Sequence, residues 1–410
     1  MHTELSTYLD QQTETVVQLQ QELVSRPALG PENGGQGEQD KAEFLTSYLS
    51  ESGLGQVRSL AAPDPRVESG QRPNLMSVIP GRDSSSTLWI ISHMDVVPPG
   101  DLKLWNTDPY VLHRDGDRIF GRGVEDNHHG LVASLLAARA VLQTGHAPAA
   151  NLGLLLVADE ETGNSYGLDY IFDQHKEIFQ EKDQFLVPDF GLPDSSMIEV
   201  AEKGLLWLKL TVHGQQCHAS TPQAGKNSLL GAARCILKLR ELYTVFDHQN
   251  PLFDPPFSTF ESTRIEANVP NVNTIPGRDV FYCDCRVLPG YSLSSTLAKI
   301  QETVQAVSRE TGQQIEMDIV HQQQASDTDP DCPLVRNLQN AISDTYRVQA
   351  QPHGIGGGTV ASYARHKGFP AAVWATLPGN AHQPNEYTSL HNIIHDAKVM
   401  AQLALAPPQS

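Results

Sequence analysis

Two apolar segments, TLWIISHMDVV (87–97) and NLGLLLVADEE (151–161), set the frame for this chain. Each reads as a strand buried on both faces, because apolar residues run through it without alternation. Between them GLVASLLAARAVLQTG (130–145) has helical spacing and a glycine stop. Strands buried on both faces need helices above and below, so this β–α–β rhythm implies an α/β fold with a mostly parallel sheet. The chain has 410 residues, more than one hydrophobic core usually organises, so a second domain is expected.

That second domain is legible where the pattern changes. LLWLKLTVHG (205–214) alternates like a strand with one open face, and NSLLGAARCILKLRELYTVF (227–246) follows as a helix. TRIEANVPNVNTIPG and DVFYCDCRVLPG read as two strands separated by a Pro-Gly turn, and SLSSTLAKIQETVQAVSRETG as a helix leading to the strand IEMDIVHQQ. This β-α-β-β-α-β order describes a small α+β domain over 204–322, inserted into the α/β domain formed by 1–203 and 323–410.

Composition narrows the function classes. Hydrophobic residues make up 39% and charged residues 19%, the balance of a folded globular protein. The net charge of −19 argues against nucleic acid or an anionic membrane as partner, since both call for basic patches. The N-terminal MHTELSTYLDQQTETVVQLQ reads as one amphipathic helix without the apolar core of a signal peptide, and no apolar stretch is long enough to span a bilayer. Five cysteines, Cys217, Cys235, Cys283, Cys285 and Cys332, form no CxxC pair. They read as free thiols in a reducing compartment, so a cytoplasmic location is expected.

The chemistry-bearing residues collect at predicted strand ends. His93 and Asp95 are two apart, so Asp95 can hydrogen-bond the ring nitrogen that His93 does not offer to a metal. GRGVEDNHHG places Asp126 just before a helix, where it suits either an N-cap or a ligand. ADEETG ends an apolar strand with Asp159, Glu160 and Glu161 together. Like charges there are costly unless a cation neutralises them, and that end of an open α/β sheet is where ligands bind. Asp189 in FLVPDFG and His382 in LPGNAHQPNE follow further apolar runs. Two histidines and several carboxylates supply nitrogen and oxygen ligands for a two-metal site, better suited to Zn²⁺, Co²⁺ or Mn²⁺ than to a structural zinc. Of the neighbours Glu160 and Glu161, one can hold metal while the other serves as general base.

The motifs HMD, GRGxxDN, DEETG, a later Asp and a C-terminal His, in this order, resemble those of the M20 family of metallo-aminohydrolases and peptidases. That group includes succinyl-diaminopimelate desuccinylase, acetylornithine deacetylase, aminoacylases, dipeptidases and carboxypeptidases. The resemblance implies His93, Asp126 and Glu161 as metal ligands with Asp126 bridging, completed by Asp189 and His382. It implies Glu160 as the general base and Asp95 as the residue orienting His93. HGQQCHASTP resembles a family segment whose second histidine, here His218, binds the substrate carbonyl across a homodimer interface formed by the inserted domain. NVNTIPG and DCRVLPG resemble segments whose Asn273 and Arg286 touch substrate, and GIGGGTVA places Gly357, Gly358 and Thr359 near a substrate carboxylate. Two departures stand out: His128-His129 where many relatives have Lys after Asp-Asn, and Val360 after Thr359 where the desuccinylase branch is acidic or polar. The histidines read as facing or capping the helix start.

These readings converge on a di-metal hydrolase, with Zn²⁺ the first choice, cleaving the amide bond of an N-acyl amino acid or a small peptide. A dipeptidase or carboxypeptidase of the same family is the neighbouring alternative. A catalytically inactive protein binding amino-acid derivatives is a third, though such a protein would have lost a ligand or Glu160, and all are present.

Overall fold

The segment Asp83–His93 is the central strand of the first of two units in the computed structural model, which describes residues 2–407. It pairs in parallel with Ala150–Val157 on one side and Gln184–Val187 on the other, and Ala371–Val373 continues the parallel set. The outer strands Leu75–Ile79, Arg58–Ser59 and Met197–Glu202 run antiparallel, so the sheet is mixed, with its parallel part in the middle.

Both faces of the parallel strands are covered, which explains their unbroken hydrophobicity. Trp89, Ile91, Leu155, Val157, Phe185 and Val187 form a core with the helices Leu168–Gln174 and Ala361–His366. The other face is covered by His128–Gln143, almost wholly buried and packed against Leu390–Leu405. Trp89 lies flat on its neighbour strand at Gly153, where a Cβ would come within 2.2 Å of the indole ring. Its Nε1 donates to Asp183 at 2.7 Å, so the ring is fixed at both ends.

The first unit comprises the chain up to Val200, Thr328–Pro352 and the chain from Thr359; the second comprises Ala201–Asp327 with His353–Gly358. The sequence expectation puts 201–203 and everything after 322 in the first unit, whereas 201–203, 323–327 and His353–Gly358 lie in the second. Backbone contacts explain this: Lys203 N donates to Ile355 O and Gly354 N to Leu252 O. The second unit carries a four-stranded antiparallel sheet in the order Thr259–Ile265, Arg278–Val287, Gly204–His213, Gln314–Gln323. Leu206, Leu208, Leu210 and Val212 point to one face and are buried with residues of the helices Ser228–Leu239 and Leu293–Thr311. Trp207, on the opposite face, is 41% exposed, as period-two alternation requires.

Two local expectations are corrected. The N-terminal segment is two helices, His2–Asp10 and Thr13–Val24, because i→i+3 bonds at Gln11 and Gln12 tighten and end the first. NVNTIPG is no extension of a long strand; only Thr274–Ile275 is extended, paired with Cys217–His218. All five cysteines are free thiols, and no described helix is long and apolar enough to cross a membrane.

Candidate metal centre

Parallel strands bring their carboxyl ends to one edge, and there the first unit gathers its chemistry. His93 is the last residue of its strand and stands in register with Val157; Asp159–Glu161 follow directly. Asp189 follows Gln184–Val187, and His382 lies in the loop after Ala371–Val373. Asp126 enters through the turn before His128–Gln143, where Gly123 at φ +87° allows a bend that a side chain would strain. The helix N-cap is Asn127, not Asp126, which leaves the Asp126 carboxylate for other work.

Two ligand groups result, and they share one residue. His93, Asp126 and Asp189 form the first; Asp126, Glu161 and His382 form the second, with donor atoms of each group within 4.8 Å of one another. His93 Nε2 lies 2.8 Å from Asp126 Oδ1 and 3.5 Å from Asp189 Oδ1. His382 Nε2 lies 3.1 Å from both Asp126 Oδ2 and Glu161 Oε2. The two oxygens of Asp126 thus face different histidines. Glu161 Oε1 is buried without a hydrogen-bond partner, an expensive position for a carboxylate oxygen unless a cation meets it. The donor set of imidazole nitrogens and carboxylate oxygens, with that orphaned oxygen, fits a pair of divalent cations.

The electrostatics show the same crowding. Burial, reinforced by Asp189, Asp126 and Glu161, pushes the Glu160 carboxyl well above the usual range against the opposing pull of His93. Burial also raises Glu161, opposed by its hydrogen bond with His382. Hydrogen bonds to Asp126 and Glu161 push His382 up to about 10. Burial disfavours a charged His93, yet Asp189, Asp126 and Asp95 outweigh it and raise its pKa well above the ordinary value.

Several supporting contacts lie outside the sequence reading. His93 Nδ1 donates to the backbone oxygen of Asp95 at 3.0 Å, with the Asp95 carboxylate farther off at 3.4 Å. That carboxylate chiefly accepts the amides of Glu160 (3.1 Å) and Glu161 (3.0 Å), so Asp95 holds the turn that aims both glutamates. Asn127 Nδ2 donates to Pro188 O at 2.9 Å and to Asp189. Of the paired histidines, His129 is buried between Thr388 Oγ1 (2.7 Å) and Asp396 Oδ2 (2.9 Å). His128 Nε2 lies 2.8 Å from Lys41 Nζ, which also donates to Met94 O at 2.7 Å. A lysine nitrogen therefore does reach the start of this helix, from Gln39–Glu51 rather than from position 128. Burial pushes the Lys41 ammonium down to about 7, against the pull of Asp95 and Glu38.

In the second unit, His218 and Asn273 are neighbours: Ala219 N donates to Asn273 O at 2.8 Å, and His218 pairs with Thr274. His218 is exposed, with Nδ1 2.7 Å from Ser220 Oγ. Arg286 is clamped by Asp284 through Nε (2.6 Å) and Nη2 (2.9 Å) and donates from Nη1 to Gly356 O at 2.5 Å. The arginine and the glycine loop are thus joined inside one unit. Gly357 and Gly358 continue that loop, while Thr359, in the first unit, accepts the Ala361 amide at 3.2 Å.

The chain is similar to several known proteins. The model of peptidase family M20/M25/M40 matches residues 89–406. The chain is 38% identical over 402 residues to an uncharacterized metallohydrolase of Methanococcus maripaludis, covering 93% of this chain and 97% of that one. It is 27% identical over 347 residues to a succinyl-diaminopimelate desuccinylase of Acidovorax ebreus, covering 83% and 84%. Its fold is similar to that of aminopeptidase PepT from Bacillus cereus, with a TM-score of 0.76 at 19% identity over 96% of this chain and 98% of that one. The chain belongs to peptidase family M20/M25/M40 and is a metallohydrolase of amide bonds.

Proposed function

We propose that this protein hydrolyses the amide bond of an N-acyl amino acid or a small peptide at a pair of divalent cations, with Zn²⁺ the preferred metal. The observation that carries the reading is the sharing of Asp126 by two ligand groups, with Glu160 beside them on the turn that Asp95 holds. His93, Asp126 and Asp189 would hold one cation; Asp126, Glu161 and His382 the other. Such a pair, when bound, polarises a carbonyl and acidifies a water molecule.

The chain's own residues do the rest. Glu160 takes the proton of the attacking water and returns it to the leaving amine, a role open to a buried carboxylate that belongs to neither ligand group. Asp95 fixes the Glu160 amide, so the carboxylate cannot swing away with its turn. Substrate contacts are assigned to His218, Asn273, Arg286, Gly357, Gly358 and Thr359 on their motif resemblance. The free thiols suit the reducing cytoplasm, where we place the protein.

A panel of N-succinyl, N-acetyl and dipeptide substrates, each assayed with Zn²⁺, Co²⁺ and Mn²⁺, tests the substrate class. We expect turnover confined to amides bearing a free carboxylate; activity on none of them contradicts the reading. We further propose a homodimer in which His218 serves the partner's site. His218→Ala and Glu160→Ala, each nearly inactive alone, should recover about a quarter of wild-type activity after co-refolding, since random assortment makes half the dimers mixed with one intact site each. No recovery in dimers shown to be mixed by native mass spectrometry contradicts the assignment.

A further inference from the structure

Just behind the shared ligand, two buried glutamates face each other across two loops. Glu386 stands four residues after His382, yet its carboxylate serves the loop of Asp126: it accepts the amides of Gly123 (3.1 Å), Glu125 (2.9 Å) and Asp126 (3.2 Å), and Arg122 Nη1 at 2.5 Å. Glu125 stands next to Asp126, yet serves the loop of His382, accepting the amides of Gly379 (2.6 Å) and Asn380 (2.8 Å). Both side chains belong to residues at most 1% exposed. We propose that Glu125 and Glu386 are positioning residues, each anchored on one ligand loop and gripping the other, that set the separation of Asp126 and His382.

The backbone explains why such a clasp is needed. His382 adopts φ +65° and Asn385 φ +60°, left-handed conformations that a non-glycine residue keeps only when its surroundings over-determine them. Glu125 fixes the chain two and three residues before His382, and Glu386 fixes its own end four residues after. Asn380 closes the loop on itself, accepting from Tyr387 N at 2.7 Å and donating to Tyr387 O at 3.0 Å. A side chain more than half exposed, as that of His382 is, has little packing to hold it, so its place is set by these backbone anchors.

This inference rests on the proposed cation pair, and its test separates the two. Metal-free wild type, Glu125→Gln and Glu386→Gln are titrated with Zn²⁺ and Co²⁺ and followed by calorimetry and by the visible absorption of bound Co²⁺. Glutamine replaces one acceptor oxygen with an NH₂ that faces amide donors, so the grip opens while volume is kept. We expect wild type to bind two ions, Glu125→Gln to bind one normally and the other at least tenfold more weakly, and Glu386→Gln, which also loosens the Asp126 amide, to bind at least one tenfold more weakly, each with a changed Co²⁺ spectrum. Asp183→Asn is the control. Asp183 accepts Thr87 N, Trp89 Nε1 and Gln180 N at the amino end of the strands, so its loss should lower Tm without changing either affinity. Two ions bound by Glu125→Gln and Glu386→Gln with wild-type affinity and spectrum overturn the clasp; no ion pair in wild type overturns the proposed function instead. Hydrogen exchange of the metal-free wild type needs no variant: Gly379 and Asn380 amides should be protected, and exchange at the rate of an open loop also overturns the clasp.

Discussion

Glu160→Gln should lower kcat by about 10²–10⁴-fold while the purified protein keeps its full metal content. Glu160 belongs to neither ligand group, but its amide is held by the same Asp95 carboxylate that holds Glu161. Glutamine preserves that backbone bond and the side-chain volume, and removes only the ability to take a proton. Glu161→Gln should act differently. The Glu161 carboxylate meets His382 at 3.1 Å through one oxygen and leaves the other orphaned, so losing its charge should deplete metal before it affects chemistry. Elemental analysis of the two variants beside steady-state kinetics decides the matter. Metal loss in Glu160→Gln with retention in Glu161→Gln would reverse the roles of the neighbours.

The second large effect belongs to Asp126. Its two oxygens lie 2.8 Å from His93 and 3.1 Å from His382, so a single amide substitution touches both ligand groups. Asp126→Asn should therefore release both ions and abolish activity, whereas Asp189→Asn, which touches one group, should weaken one ion only. Thermal unfolding with and without added Zn²⁺ gives the same distinction, because an ion that binds only the folded state raises Tm by an amount that grows with the logarithm of its concentration over its Kd. A Zn²⁺-dependent rise in Tm as large in Asp126→Asn as in wild type contradicts the shared role.

How much of this could be read from the residues depended on whether a side chain acts where its sequence neighbours place it. That His93, Asp126, Glu161, Asp189 and His382 come together was legible because each follows an apolar run or a glycine turn, and parallel strands carry such ends to one edge. The β-α-β-β-α-β order of the second unit was legible for a similar reason, since strand alternation and helical spacing are local. Lys41 was not. In QDKAEFL it reads as a solvated helix position, yet it is fully buried and reaches Met94 and His128 from far along the chain. Arg72 and Glu38 form another buried pair that nothing nearby in sequence announces. Glu386 left a faint trace, a carboxylate four residues beyond His382, but its partners at 122–126 lie some 260 positions away. The role of Asp95 was half visible: spacing pointed to His93, while the amides of Glu160 and Glu161 came into reach only because His93 and Val157 share a register.

The claim on which the rest depends is that hydrolysis at this site needs two cations held by these five ligands. The most direct measurement is a back-titration of activity: chelate the protein, verify by elemental analysis that it is metal-free, then add Zn²⁺, Co²⁺ or Mn²⁺ stepwise to the best substrate of the panel. No turnover is expected without metal, and activity should rise to saturation at two equivalents per chain. Full-rate hydrolysis by demonstrably metal-free protein, or saturation at a single equivalent, would contradict that claim.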